Sequence, residues 1–142
     1  MWTIEQRVGR LIEIRVASPI VYADLDAFGA RLIECIARLT ERVPRVLVCT
    51  DLSGANVFAP EVAEWFIRLM HRDNPVLERN AFLIGQSAVF ALQIERMLKQ
   101  GNSLTRRAFR EPEPLIEWLG ELLTPLERER ARQLLSGSSP RL

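Results

Sequence analysis

The chain has 142 residues, 48% hydrophobic and 26% charged, with 19 basic and 18 acidic side chains and a formal net charge of +1. That length suits one domain, able to bury roughly two-thirds of its unfolded surface without disulfides or metal. The balanced charge, spread along the chain, leaves no electrostatic footprint for nucleic acid or an acidic membrane surface.

Two cysteines, Cys35 and Cys49, lie in apolar surroundings without metal-ligand spacing, the usage of reduced, buried thiols in an intracellular protein. The opening MWTIEQRVGRLIEIRV carries charge every few residues and has no leader pattern. The longest uncharged run falls far short of the ~20 residues that span a bilayer. A cytoplasmic chain without stable membrane insertion is expected.

Taken in chain order, TIEQRVGRLIEIRVAS alternates apolar and polar residues around Gly9 and predicts two short strands in a hairpin. Ile12, Ile14 and Val16 share one side, while Glu13 and Arg15 share a wetted face. From about Tyr22 to Glu41, the steps of three and four between Leu25, Phe28, Leu32, Ile36 and Leu39 predict a helix with one apolar stripe. VLVC, after Pro44, is a continuous apolar run of the kind covered on both faces. The next helix starts at Pro60, where the missing N–H is no loss, and ends near Asn74-Pro75.

AFLIG reads as a further buried strand. Ser87 suits the N-cap of a helix carrying Phe90, Ile94, Met97 and Leu98, with Gly101 at its end. TRRAFR is a polar strand that belongs at a sheet edge. PLIEWLGELL and TPLERERARQLL are short helices, the second opened by a capping box of Thr124 and Glu127. Its ERER stretch reads as a solvated face of interleaved charges, and its Leu126, Leu134 and Leu135 pack either on the same domain or across a homodimer. Residues 137–142 read as a disordered tail.

The order β-β-α-β-α-β-α-β-α-α predicts an α/β fold: a mixed, mostly parallel sheet with helices packed on it and an added C-terminal helix. In such sheets a ligand or partner site lies past the C-terminal strand ends, where the strand order reverses. The turn after VLVC is one such end, and IGQSAVF is its neighbour.

This order, with VLVCTDLSG as central strand and turn, resembles the STAS domains of anti-sigma-factor antagonists. Over residues 1–123 it is similar to the SpoIIAA-like branch, whose aromatic strand and following Trp-Leu helix correspond here to RRAFREPEPLIEWL. The resemblance implies a non-enzymatic module that binds another protein, without cofactor or metal. For the SpoIIAA-like branch, related in fold to the CRAL-TRIO lipid-transfer domains, it also implies a small carrier of a lipid or other apolar ligand. STAS switches carry a phosphorylatable Ser at the start of the helix after the central strand. Counted without gaps from Asp51, the usual Asp-Ser-Ser-Gly falls on Ala59, Pro60, Glu61 and Val62, none of which accepts a phosphate. Glu61 then either stabilises its helix through the dipole, by ~0.3–1 kcal/mol, or imitates a phosphorylated side chain.

Candidate site residues follow from the strand ends and the resemblance together: Thr50, Asp51, Ser53, Asn56, Phe58 and Glu61 on the first turn, and Gln86, Ser87 and Phe90 on the second. Asp51 and Ser53 are expected as turn formers, and Phe58 as the loop aromatic that contacts a partner or covers a ligand. The only histidine, His71, is expected about three helical turns from Ser53, too far for a nucleophile and its base.

Overall fold

The computed structural model describes residues 1–137; most of the expected tail, residues 138–142, lies outside the described residues. Two strands, β1 (Trp2–Gln6) and β2 (Leu11–Val16), form the antiparallel hairpin, with Ile4 opposite Ile14. A 3-10 turn (Tyr22–Asp24) leads into α1 (Leu25–Thr40), then β3 (Val46–Asp51), α2 (Pro60–Asp73) and β4 (Leu77–Leu83). After these come α3 (Ala88–Gln100), β5 (Arg106–Phe109), α4 (Pro112–Gly120) and α5 (Pro125–Ser136).

The five strands are ordered β1-β2-β3-β4-β5, and every pair after the hairpin is parallel. Crossovers of one hand that always step in the same direction put their helices on the same side. So α1, α2 and α3 share one face of the sheet, and α4 and α5 cover the other. The strand order never reverses, and the crevice expected at a reversal is therefore absent.

Alternation along each strand sorts the side chains between the two faces. Ile12, Ile14, Val46 and Val48 join Phe28, Phe66, Phe90 and Ile94 beneath the first three helices. Leu11, Leu47 and Cys49 meet Leu115, Leu119, Ala131 and Leu135 beneath the last two.

The face of the hairpin that carries Glu13 and Arg15 is wetted only in its β1 half: Thr3 and Glu5 are open to water, whereas α5 lies over Glu13 and Arg15 on β2. Glu13 is 3% exposed and receives Arg130 through two bonds, Nη2 to Oε1 at 2.7 Å and Nε to Oε2 at 3.2 Å. The ERER stretch is likewise half interior. Glu127 is 2% exposed; its Oε1 accepts the Thr124 N–H at 2.9 Å, closing the capping box, and its Oε2 accepts the Arg10 N–H at 2.7 Å. Gly9 permits this approach: a Cβ there would lie 2.1 Å from Glu127 Oε2, and its φ of +57° is one that other residues resist. Leu134 and Leu135 of α5 are buried in their own domain, whereas Leu126 is exposed. Among the described residues, no helix is long and apolar enough to cross a membrane.

Candidate functional site

β3 and β4 end side by side, and the Leu52 N–H donates to the Leu83 carbonyl at 2.7 Å. Gly85, in the left-handed region at φ +70°, lies against Ser53: an added Cβ would sit 3.7 Å from Ser53 Cα. The two turns singled out in the sequence are therefore neighbours.

Their polar groups are largely engaged within the fold. Asp51 is 1% exposed; its Oδ1 accepts the Ser53 N–H at 2.9 Å and the Ser53 hydroxyl at 2.7 Å, and its Oδ2 accepts Arg15 Nε at 3.1 Å. A second Arg15 nitrogen, Nη2, donates to the Leu134 carbonyl, so Arg15 ties this turn to the end of α5. The Thr50 hydroxyl is buried and donates to Asn80 Oδ1 at 3.1 Å. Ser87 caps α3 by accepting the Phe90 N–H at 3.2 Å. Gln86 is exposed, but its amide donates to the Arg110 carbonyl and to Glu111. Asn56 is exposed while its N–H donates to Ser18 Oγ at 2.8 Å. Glu61 stands exposed in the first turn of α2.

Phe58 is not the surface aromatic that its loop position suggests. Gln93 grips its backbone from both sides, accepting the Phe58 N–H and donating to the Phe58 carbonyl, each at 2.8 Å. That clamp turns the ring inward, where it is 6% exposed and its centroid lies 5.3 Å from those of Phe66 and Phe90. Phe90 is fully buried. These two aromatics belong to the core.

Beside these polar groups the same end exposes apolar side chains. Among the described residues, six of the nine exposed large apolar side chains gather at this end of the sheet: Met1, Val21, Tyr22, Val57, Val89 and Leu92. The backbone brings them there. Met1 pairs with Ala17 at the end of β2, Ser18 bonds both Gly54 and Asn56, and Gln93 fixes the start of α3 beside Val57 and Phe58. A usable signal was present in the sequence, since Val89 and Leu92 fall off the apolar stripe of their own helix.

Comparison with protein-family models finds no match, and comparison with curated proteins finds none.

His71 sits near the far end of α2, where its Nε2–H donates to the Gln100 carbonyl at 2.9 Å. Eleven residues of helix at ~1.5 Å each separate it from the turn at Pro60, so it does not converge on Asp51 and Ser53. Burial raises the thiol pKa of both Cys49 and Cys35, which keeps them protonated and poorly nucleophilic. Between the sheet and α1–α3 lies a cavity of about 80 Å³, bordered by Phe28, Phe66 and Ile94, with Asn80 and Arg106 among its few polar neighbours. Small-molecule sites occupy roughly 300–1,000 Å³.

Proposed function

We propose that the chain is a non-catalytic protein-interaction module of the STAS or SpoIIAA-like type, and that a protein partner docks on the strand-end face. The gathering of Met1, Val21, Tyr22, Val57, Val89 and Leu92 on that face carries this reading. Exposed apolar side chains scattered singly need no explanation, but six of them in the segments at one end of a sheet support an interaction site there. The contact residues are then Val57 and Val89 in place of Phe58, while Asp51 and Ser53 hold the turn in shape. Asp51, which accepts the Ser53 hydroxyl, is also held by Arg15, and with His71 remote no histidine is within reach to serve Ser53 as a base. Kinase switching at the usual position finds no hydroxyl in Ala59, Pro60, Glu61 or Val62, and the Ser53 hydroxyl is held by Asp51. A carrier of an apolar ligand is the second reading; the cavity of about 80 Å³ would have to grow severalfold to serve it, so the interaction reading is preferred.

The decisive comparison is affinity capture from the native cell with the wild-type chain and with a Val57→Asp/Val89→Asp variant. Both sites are more than half exposed, so the variant should keep its stability within about 0.5 kcal/mol at each site. A defined protein retained by the wild type and lost by the variant is expected. Identical captured proteins for the two chains would end this reading, and an apolar molecule released on denaturation would favour the carrier.

A further inference from the structure

A row of polar side chains crosses the face of the sheet that α1, α2 and α3 cover. Thr50 of β3, Asn80 of β4 and Arg106 of β5 stand on adjacent strands, Asn80 opposite both Val48 and Arg106, and all three are buried. Arg106 is engaged by Asn74, by Ser103 Oγ at 2.8 Å and by the Met70 carbonyl at 3.5 Å. Asp73, which also faces this space, is held by Arg72 through bonds of 2.7 and 3.1 Å. Asn80 is the exception. It is 8% exposed and its Oδ1 accepts the Thr50 hydroxyl, but among the described residues its Nδ2 amide has no acceptor. No unpaired side-chain polar atom among those residues is completely sealed off, so this amide opens on the cavity of about 80 Å³ that Asn80 borders.

A buried amide without a partner is costly, and water suits it badly here. A buried water needs about two to four polar partners. The other polar side chains on the wall, Thr50, Asp73 and Arg106, are already engaged, and the remainder is apolar, with Ile14, Val48, Ile94 and Met97 among it. Nor does the fold call for the amide, since an apolar pair of matching shape in place of Thr50 and Asn80 would be close to neutral. Leu98 and Arg106 border both this cavity and the open groove beside β5, which gives a way in.

We propose that the cavity binds a neutral molecule of about four non-hydrogen atoms, an apolar body with one carbonyl oxygen that accepts the Asn80 Nδ2–H. The size follows from the volume, since a dry cavity of about 150 Å³ accepts benzene. Neutrality follows from the engaged charges: with Arg106 and Asp73 satisfied, an ion would lose its hydration and gain no partner. The site lies beneath the helices, apart from the exposed strand-end residues, and needs no enlargement of the cavity. It therefore stands independently of both readings given above.

The test uses the full chain, isotopically labelled for NMR, and two probes of one shape: acetone, and 2-methylpropene, in which a CH2 group replaces the oxygen. Acetone should give saturable shifts of the Ile14, Val48, Ile94 and Met97 methyls, and should move the Asn80 side-chain amide protons downfield as a new hydrogen bond does. Thr50→Val/Asn80→Leu keeps the shape of the wall and removes the donor, so the preference for acetone over 2-methylpropene should fall at least about fivefold. Should that variant not fold, the Asn80 amide signal of the wild type decides. The proposal is overturned if acetone does not saturate, if its shifts map to Val57 and Val89, if the preference is the same in both chains, or if water cross-peaks to the Asn80 amide persist at saturating acetone. None of these results bears on the capture experiment with Val57→Asp/Val89→Asp.

Discussion

The same five strands carry two unlike faces. Toward α1, α2 and α3 the contacts are mainly apolar, with the buried Thr50–Asn80 and Arg106–Asn74 bonds among them, and they centre on a chain of rings: Trp2 on Phe28 at 5.4 Å, Phe28 on Phe66 at 5.5 Å, Phe66 on Phe58 and Phe58 on Phe90, each at 5.3 Å. Toward α4 and α5 the apolar set is smaller, and α5 is fixed by charge as well: Arg130 on Glu13, Arg15 on the Leu134 carbonyl, and Glu127 on the Arg10 N–H. An apolar face needs only shape and volume. A face held by buried carboxylates also needs every oxygen placed, since an unpaired one is expensive. The difference shows how a helix with a weak apolar stripe can still be pinned at one register.

The largest break in the comparison comes on the apolar side. Phe90 is fully buried, and Phe90→Ala should cost about 3–5 kcal/mol through lost transfer energy and the cavity left behind, read by urea unfolding. The polar side should respond asymmetrically. Arg130→Leu leaves Glu13, whose side chain is 3% exposed, without its partner, and should also cost about 3 kcal/mol. Glu13→Leu leaves Arg130, 22% exposed, able to turn toward water, and should cost about 1 kcal/mol. The double variant should return to within about 1 kcal/mol of wild type, because replacing both members of a buried pair by apolar groups is often neutral. Negligible costs for both single variants would mean that the pair adds nothing and α5 is held by its leucines.

Legibility in the sequence follows the same division. The apolar face was readable because period alone builds it: Leu25, Phe28, Leu32, Ile36 and Leu39 repeat at helical spacing, and all five are buried in α1. Pro60, Ser87 and the Thr124–Glu127 box marked their helix starts through local chemistry. The charged face was not readable, since nothing near Glu13 announces a partner 117 residues away. Glu127 was recognised as a cap but not as a buried acceptor for Arg10, because that role needs Gly9 to come close. The first half of β4 was missed for the same reason: in Glu78, Arg79 and Asn80 polarity suggests a loop, but Asn80 is buried against Thr50.

At the candidate site the two turns were legible and the direction of their side chains was not. Asp51, Ser53 and Ser87 bond as turn and cap formers do, whereas Thr50 lies within β3 with its hydroxyl on Asn80. Phe58 was placed outward because a loop aromatic beside Pro60 looks available. What reverses it is Gln93, a polar residue on a helix 35 positions away. A single glutamine decides whether that ring faces a partner or the core.

The smallest effect tests whether the charged face extends to its rim. Trp118 of α4 lies between two guanidinium groups, Arg79 at 4.6 Å and Arg107 at 4.9 Å from its ring centroid. Arg79 is additionally bonded to the Trp118 carbonyl at 2.7 Å and to Glu121 at 2.6 Å, whereas Arg107 is exposed and, among the described residues, its guanidinium meets the ring without a hydrogen bond. Removing Arg107 therefore isolates the stacking contribution, and Arg107→Ala should cost about 0.5–1 kcal/mol in urea unfolding, with a shift of the Trp118 indole N–H resonance. Arg79→Ala should cost more, because it also strips a helix carbonyl of its donor. If both losses prove equal, the hydrogen bonds of Arg79 add nothing and the stack alone secures α4 at the sheet edge.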